Sequence, residues 1–181
     1  MPEARAIVVM GVSGVGKTTV AEVLARRLDW TFCDGDLFHP LANVEKMRSG
    51  TPLTDEDRWP WLRAVATEID RHRRAQKGFV VACSALKHAY RKILMEDRPD
   101  VRLVFLQGDR DLIMSRLAQR KGHYFPAHLL DSQFATLETP DTSEHAITVV
   151  VDKDIGAVVE EIVAALDSER GEDPVIPGRV C

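Results

Sequence analysis

Residues 7–18 read Ile7-Val8-Val9-Met10-Gly11-Val12-Ser13-Gly14-Val15-Gly16-Lys17-Thr18, and this run decides the architecture of the chain. Its first four residues are apolar without alternation, which predicts a short strand buried on both faces and ending at Gly11. From Thr18 to Leu28 the apolar residues Val20, Val23, Leu24 and Leu28 recur at helical spacing. Between strand and helix, Gly11 to Thr18 completes the pattern Gly-x4-Gly-Lys-Thr in the setting that a phosphate-wrapping loop requires. Its glycines let successive backbone N–H groups turn inward, and the new helix adds unpaired N–H groups and the positive end of its dipole. Lys17 is expected to reach the β- and γ-phosphates of a nucleotide, and Thr18 to ligate Mg²⁺. Gly11, Val12, Ser13, Gly14, Val15, Gly16 and Thr19 complete the expected nucleotide-binding set.

Further strands are expected at Trp30–Cys33, Phe79–Cys83, Val101–Leu106 and Ala146–Val151, with helical stretches between them. Such alternation predicts an α/β, three-layer P-loop NTPase fold with a mainly parallel five-stranded sheet covered on both faces. Thr54 and Asp57 resemble a capping box opening a helix through Trp61, Leu62, Val65 and Ile69, although Pro60 could shift its start. For Trp59 and Trp61, simple packing of that helix stands as an equal alternative to a place at the site. Other helices are expected at Leu86–Met95, Asp109–Gln119, Leu129–Leu137 and Ile155–Leu166. The expected organisation is a single domain over 1–168. Residues 169–181 hold two prolines and two glycines and are expected to be a flexible tail.

At 181 residues, 45% hydrophobic and 29% charged, the chain has the composition of one globular domain and not of a disordered segment. A formal net charge of -4 supplies no whole-chain attraction to nucleic acid or to an anionic membrane. Cys33, Cys83 and Cys181 lack the spacing of a metal site or a disulfide framework, which suits a reducing compartment. Ala6–Met10 is too short for a signal core or a membrane span, so a cytoplasmic protein without membrane or nucleic-acid partners is expected.

The phosphate loop alone leaves open which reaction it serves. No Asn-Lys-x-Asp guanine signature is present, and the second strand ends at Asp34-Gly35-Asp36. Strand C-terminal ends form the ligand crevice of a parallel sheet, which puts this pair beside the phosphate loop. One carboxylate can then serve the water shell of Mg²⁺ and the other an acceptor hydroxyl; a helix N-cap plus a turn aspartate is the bland alternative. A kinase for a small acceptor follows from the first reading.

The chain resembles the gluconate kinase (gluconokinase) family of small P-loop kinases, related in fold to shikimate and adenylate kinases. The resemblance runs from Ile7 to Leu166. It is carried by Met10 to Thr18, Asp34-Gly-Asp36 with His39-Pro40, Asn43-Val-Glu-Lys-Met47, and Gly50-Thr-Pro-Leu-Thr-Asp-Glu-Asp-Arg58. Pro60-Trp-Leu62, Cys83-Ser-Ala-Leu-Lys87 with Tyr90-Arg91, Arg116 to His123, Gln133-Phe134 and Leu137-Glu138 complete it. The resemblance implies transfer of phosphate from ATP to the 6-hydroxyl of D-gluconate by a homodimer. It implies that Asp36 is the acceptor-hydroxyl partner and Asp34 a Mg²⁺ group acting through water. A carboxylate with a chain of hydroxyls needs cations and directional polar groups, for which His39, Arg48, Ser84, Lys87, Tyr90, Arg91 and His123 are candidates, with Lys46 able to replace Arg48. The resemblance further implies a helical acceptor-binding insertion at about 37–77 and a mobile lid at about 116–128, whose cations Arg116 and Arg120 meet ATP phosphates when it closes. Cys83 is read as packing or pocket lining, because direct transfer needs no covalent intermediate. The rivals are another anionic acceptor such as shikimate, a nucleoside monophosphate, and a nucleotide-binding regulatory module without turnover.

Overall fold

The computed structural model describes residues 3–119 and 127–171. Five short apolar segments form the sheet: β1 (Ala6–Met10), β2 (Thr31–Asp34), β3 (Phe79–Ala82), β4 (Val101–Gln107) and β5 (Ile147–Val150). All neighbouring pairs are parallel and the spatial order is β2-β3-β1-β4-β5, with Val8 of the central strand level with Val81 and Leu103. Parallel pairing forces every connection to cross from one end of the sheet to the other, and helices make those crossings. They are α1 (Lys17–Leu28), α2 (Leu41–Arg48), α3 (Asp55–Arg74), α4 (His88–Met95), α5 (Arg110–Ala118) and α6 (Ala127–Thr136), and α7 (Ile155–Gly171) follows the last strand.

Alternation along β1 divides the core. Ile7 and Val9 pack with Leu24 of α1, Val104 and Ile162 of α7 on one face. Ala6, Val8 and Met10 pack with Trp61 and Ile69 of α3, Leu94 of α4 and Leu103 on the other. A strand sandwiched in this way has no polar face, so its sequence shows an unbroken apolar run.

Local contacts account for where several elements begin and end, in agreement with the sequence expectation for α3 and beyond it elsewhere. Helix α3 begins at Asp55 and continues through Pro60, because the Thr54 hydroxyl accepts the Asp57 N–H while the Asp57 carboxylate accepts the Thr54 N–H. Pro60 and Glu56 are both exposed, so water can satisfy the carbonyl that the proline leaves unbonded. Helix α7 extends past Leu166 to Gly171, with Glu169 bonded at 2.6 Å to the buried Arg102 of β4. A short 3-10 turn (Gly35–Phe38) joins β2 to the stretch that leads into α2. No helix among the described residues is long and apolar enough to cross a membrane.

Candidate active site

The C-terminal ends of β1, β2 and β3 meet at one edge of the sheet, and each contributes to the site. Gly11 follows β1 with φ +144, where a Cβ would lie 2.8 Å from the Leu106 carbonyl oxygen, so the tight departure of the loop requires glycine. Gly16 occupies the N-cap of α1 and leaves the first-turn N–H groups of that helix facing the loop. Lys17 folds back over the loop and donates to the Val12 carbonyl at 3.0 Å. The Thr18 hydroxyl donates to Asp34 at 3.1 Å across the gap to β2. Ser13, Lys17, Thr18, Asp34 and Asp36 share the wall of a cavity of about 230 Å³.

Asp34 and Asp36 differ in their surroundings. Asp34 accepts the Asp36 N–H at 3.0 Å, capping the 3-10 turn while it also receives Thr18. Asp34 is therefore the cap that one sequence reading expected, and it lies beside the phosphate loop. Asp36 has a side chain 78% exposed and lies 3.9 Å from His39 Nε2. Water reaches it in the open cleft, yet the surrounding protein pushes its pKa upward through desolvation first and the Asp34 charge second, against the pull of His39 and Lys17. Gly35 between them is buried against β3, where a Cβ would stand 2.6 Å from the Ala82 oxygen. Trp61 Nε1 donates to the Gly35 carbonyl at 2.7 Å, and its ring stacks under His39 with centroids 4.2 Å apart. Burial lowers the His39 pKa, favouring a neutral imidazole beside Asp36.

The opening turn of α3 organises a second group. Asp55 receives both Lys87, at 2.8 and 2.9 Å, and the Tyr90 hydroxyl, at 2.5 Å. Arg58 lies 3.9 Å from Asp55 and 5.7 Å from the centre of the Tyr90 ring. These bonds hold the Asp55 carboxyl below its usual range, Lys87 contributing most, and raise the Lys87 pKa in return. Asn43 and Lys46 of α2 attach to Asp57 of the same turn, at 2.8 Å to its carbonyl and 2.7 Å to its carboxylate respectively. On the far side of the phosphate loop, Gly14, Thr19, Arg116, Val151, Lys153 and Asp154 surround a cavity of about 400 Å³, with Arg116 donating to the Val151 carbonyl.

Comparison with known proteins fits this geometry. The sequence model of the AAA domain family matches residues 7–140. A gluconokinase of Gluconobacter oxydans is 47% identical over 165 residues, covering 91% of this chain and 93% of its own. A probable gluconokinase of Xenopus tropicalis is 44% identical over 176 residues, covering 89% and 93%. The crystal structure of a gluconokinase from Sinorhizobium meliloti superposes with TM-score 0.83 at 40% identity, covering 93% of each chain. The chain belongs to the gluconokinase family.

As a gluconokinase-family chain it brings together most of the residues singled out from sequence, and some it does not. Gly11, Val12, Ser13, Gly14, Val15, Gly16, Lys17, Thr18 and Thr19 form the phosphate loop and the start of α1. Lys87 and Tyr90 form one cluster, and His39 joins Asp36. Ser84 stands two residues past the end of β3, and its carbonyl accepts the Gly11 N–H at 3.3 Å, which puts it against the loop. Arg48 is exposed in the last turn of α2 and joins neither cluster.

Arg91 requires a correction. It is 1% exposed, and its guanidinium is taken up by Glu144, at 2.5 and 2.8 Å, and by the carbonyls of Ala85, Leu86 and Glu138. A buried guanidinium with its donors engaged builds the wall of the gluconokinase fold and is not available to an acceptor carboxylate. Arg120 and His123 lie outside the described residues. Cys83 is wholly buried, and its thiol is pushed up to about 12 by desolvation first and Asp36 second, which agrees with packing.

Sequence reading missed Asp55, Arg58, Lys153, Asp154 and Gln133. Asp55 and Arg58 sit inside the Gly50–Arg58 stretch, where charges at a helix start read as caps or dipole partners. Gln133 bonds Ser13 from 120 positions away, and no local pattern could have announced it.

Proposed function

We propose that the protein transfers the terminal phosphoryl group of ATP to the 6-hydroxyl of D-gluconate, giving 6-phospho-D-gluconate and ADP. The observation that carries this reading is the pairing, in one cavity, of Lys17 and the α1 N-terminus with the solvent-open carboxylate of Asp36. It is supported by 40–47% identity to gluconokinases over about nine-tenths of the chain.

In this reading Lys17 and the loop N–H groups hold the phosphates, and Thr18 with Asp34 holds Mg²⁺, Asp34 through water. A hydroxyl and a carboxylate 3.1 Å apart are hard oxygen donors of the kind that cation accepts. Bound Mg²⁺ supplies neutralisation of the phosphate charge. Asp36 orients the 6-hydroxyl and takes its proton as the new O–P bond forms and the bond to ADP breaks. A carboxylate suffices, because phosphoryl transfer depends more on alignment and charge than on base strength. Lys87, Tyr90, His39, Ser84 and Arg48 are assigned to the gluconate carboxylate and hydroxyls, with Arg58 added to that set. Arg116 is assigned to the nucleotide, Arg120 keeps the lid role that the resemblance implies, and His123 keeps its assignment to the acceptor. A homodimer is part of the same reading and is checked by light scattering on the eluting protein.

The test is ADP formation with Mg²⁺-ATP and, separately, D-gluconate, shikimate and AMP, with product identification by NMR. Selective formation of 6-phosphogluconate is the expected result. Turnover of shikimate or AMP alone overturns the acceptor, and nucleotide binding without any turnover overturns the kinase.

A further inference from the structure

Gln133, in α6, reaches the phosphate loop with both ends of its carboxamide. Its Oε1 accepts the Ser13 N–H at 2.6 Å, and its Nε2 donates to the Ser13 hydroxyl at 2.9 Å. The backbone donor fixes the amide orientation, since only the oxygen can accept from an N–H. Five residues later the same segment grips the loop that carries Ser84 and Lys87. Glu138 N–H donates to the Leu86 carbonyl at 2.9 Å, and the Glu138 carboxylate accepts the His88 N–H at 2.6 Å. Lys87, the N-cap of α4, offers no side-chain cap of its own, so Glu138 caps that helix from outside. Arg91 also donates to the Glu138 carbonyl at 2.9 Å.

Between these two grips the segment is stiff. The Leu137 N–H bonds the Gln133 carbonyl at 2.9 Å, and Phe134 and Leu137 pack on the core, Leu137 against both of its halves. Phe134, Leu137 and Val12 line a cavity of about 270 Å³, while Ser13 itself lines the phosphate-side one, which sets the clamp between the two.

We propose that residues 133–138 are a positioning strut between the phosphate loop and the acceptor loop, with Gln133 setting Ser13 and Glu138 setting the start of α4. The proposal rests on the kinase reading above. Gln133 and Glu138 are positioning residues: neither is assigned to touch substrate, and both act on alignment of donor and acceptor, where small displacements cost rate.

The test uses the full chain with Gln133→Ala, Glu138→Ala, the double variant and Gln133→Glu. Each alanine is expected to lower kcat about tenfold, with little change in melting temperature or in KM for gluconate. The double variant should lose about as much as one single variant, because a strut cut once is already cut. Gln133→Glu can still accept the Ser13 N–H and receive its hydroxyl, so kcat should persist. Its added charge beside the phosphates should weaken binding of a non-hydrolysable ATP analogue about tenfold by calorimetry. Unchanged kcat in the alanine variants, losses that multiply in the double variant, or losses that track a fall in melting temperature overturn the strut. Calorimetry needs no acceptor. Failure of gluconate turnover in the unmodified protein would therefore sink the proposed function, while unchanged nucleotide affinity in Gln133→Glu would sink the clamp at Ser13.

Discussion

Asp36 and Cys83 show how neighbouring backbone can set opposite chemistries. Cys83 is sealed in the core with a thiol raised to about 12, while Asp36, two residues past the end of β2, stays open to water and crowded on one side. Only the second can exchange a proton with an acceptor. The proposed reaction uses its unprotonated form, and its pKa lies above the ordinary 3.8 because desolvation and Asp34 both penalise the charge. Activity should therefore fall as pH drops through a value above 3.8, with the acid limb of kcat/KM shifted upward relative to an unperturbed carboxylate. Asp36→Asn removes the proton acceptor with little change of shape. It should lower kcat by about a hundredfold or more while nucleotide affinity by calorimetry stays near that of the unmodified protein. Near-normal turnover in this variant would remove Asp36 from the reaction. Asp36 was legible from sequence because it stands two residues from Asp34 at a strand end, a local pattern, whereas the Gln133 clamp depends on a contact across 120 positions.

At the level of elements, α4 is the clearest case of a residue whose type suggested one role and whose packing assigns another. Arg91 fits the cation demand of an acceptor pocket by type and position. Its burial instead makes it the bolt joining α4 to the connection between α6 and β5, through Glu144 and the Glu138 carbonyl. Truncation would leave half-buried Glu144 with only the Asp141 N–H and His88, and three backbone carbonyls without the guanidinium, so Arg91→Ala should cost about 3 kcal/mol of stability in urea unfolding. If folded Arg91→Ala instead kept full stability and lost only affinity for gluconate, the acceptor role would be restored. The strands and α1 were legible because unbroken apolar runs and helical spacing are local signals, and the Thr54–Asp57 cap held against Pro60 for the same reason. The end of α7 was not, since the pair that extends it, Arg102 with Glu169, joins residues 67 apart.

Over the whole molecule the two ends of the sheet do different work. Strand C-termini gather the phosphate loop and the paired carboxylates, whereas the opposite end holds an ion network in which Arg98 and Arg73 keep the Asp70 carboxyl at about 2. Next to that network His72 is almost fully buried in α3, stacked on Phe79 of β3 with ring centroids 4.2 Å apart. Its Nε2 lies 2.8 Å from an Arg71 nitrogen and 3.3 Å from a Glu68 oxygen, while its buried Nδ1 has no hydrogen-bond partner among the described residues. Desolvation first and Arg71 second lower the His72 pKa, and Glu68 at 3.3 Å opposes them only in part. The folded chain therefore binds this proton less readily than the unfolded chain does. Stability from the neutral ring is fully present above the unfolded value of 6.5 and is lost as pH falls below it. Asp70, with its folded value depressed, loses its contribution only between 3.8 and about 2, so the two acid effects separate along the pH axis. His72→Phe keeps the stack on Phe79 and removes the titrating group. Urea midpoints measured at about pH 7.5 and about pH 5.5 should then differ less in the variant than in the unmodified protein, with the loss below pH 4 retained. Equal midpoint changes in the two proteins would show that His72 titrates alike in the folded and unfolded chains, and the acid sensitivity near pH 6 would have to be sought at another buried group.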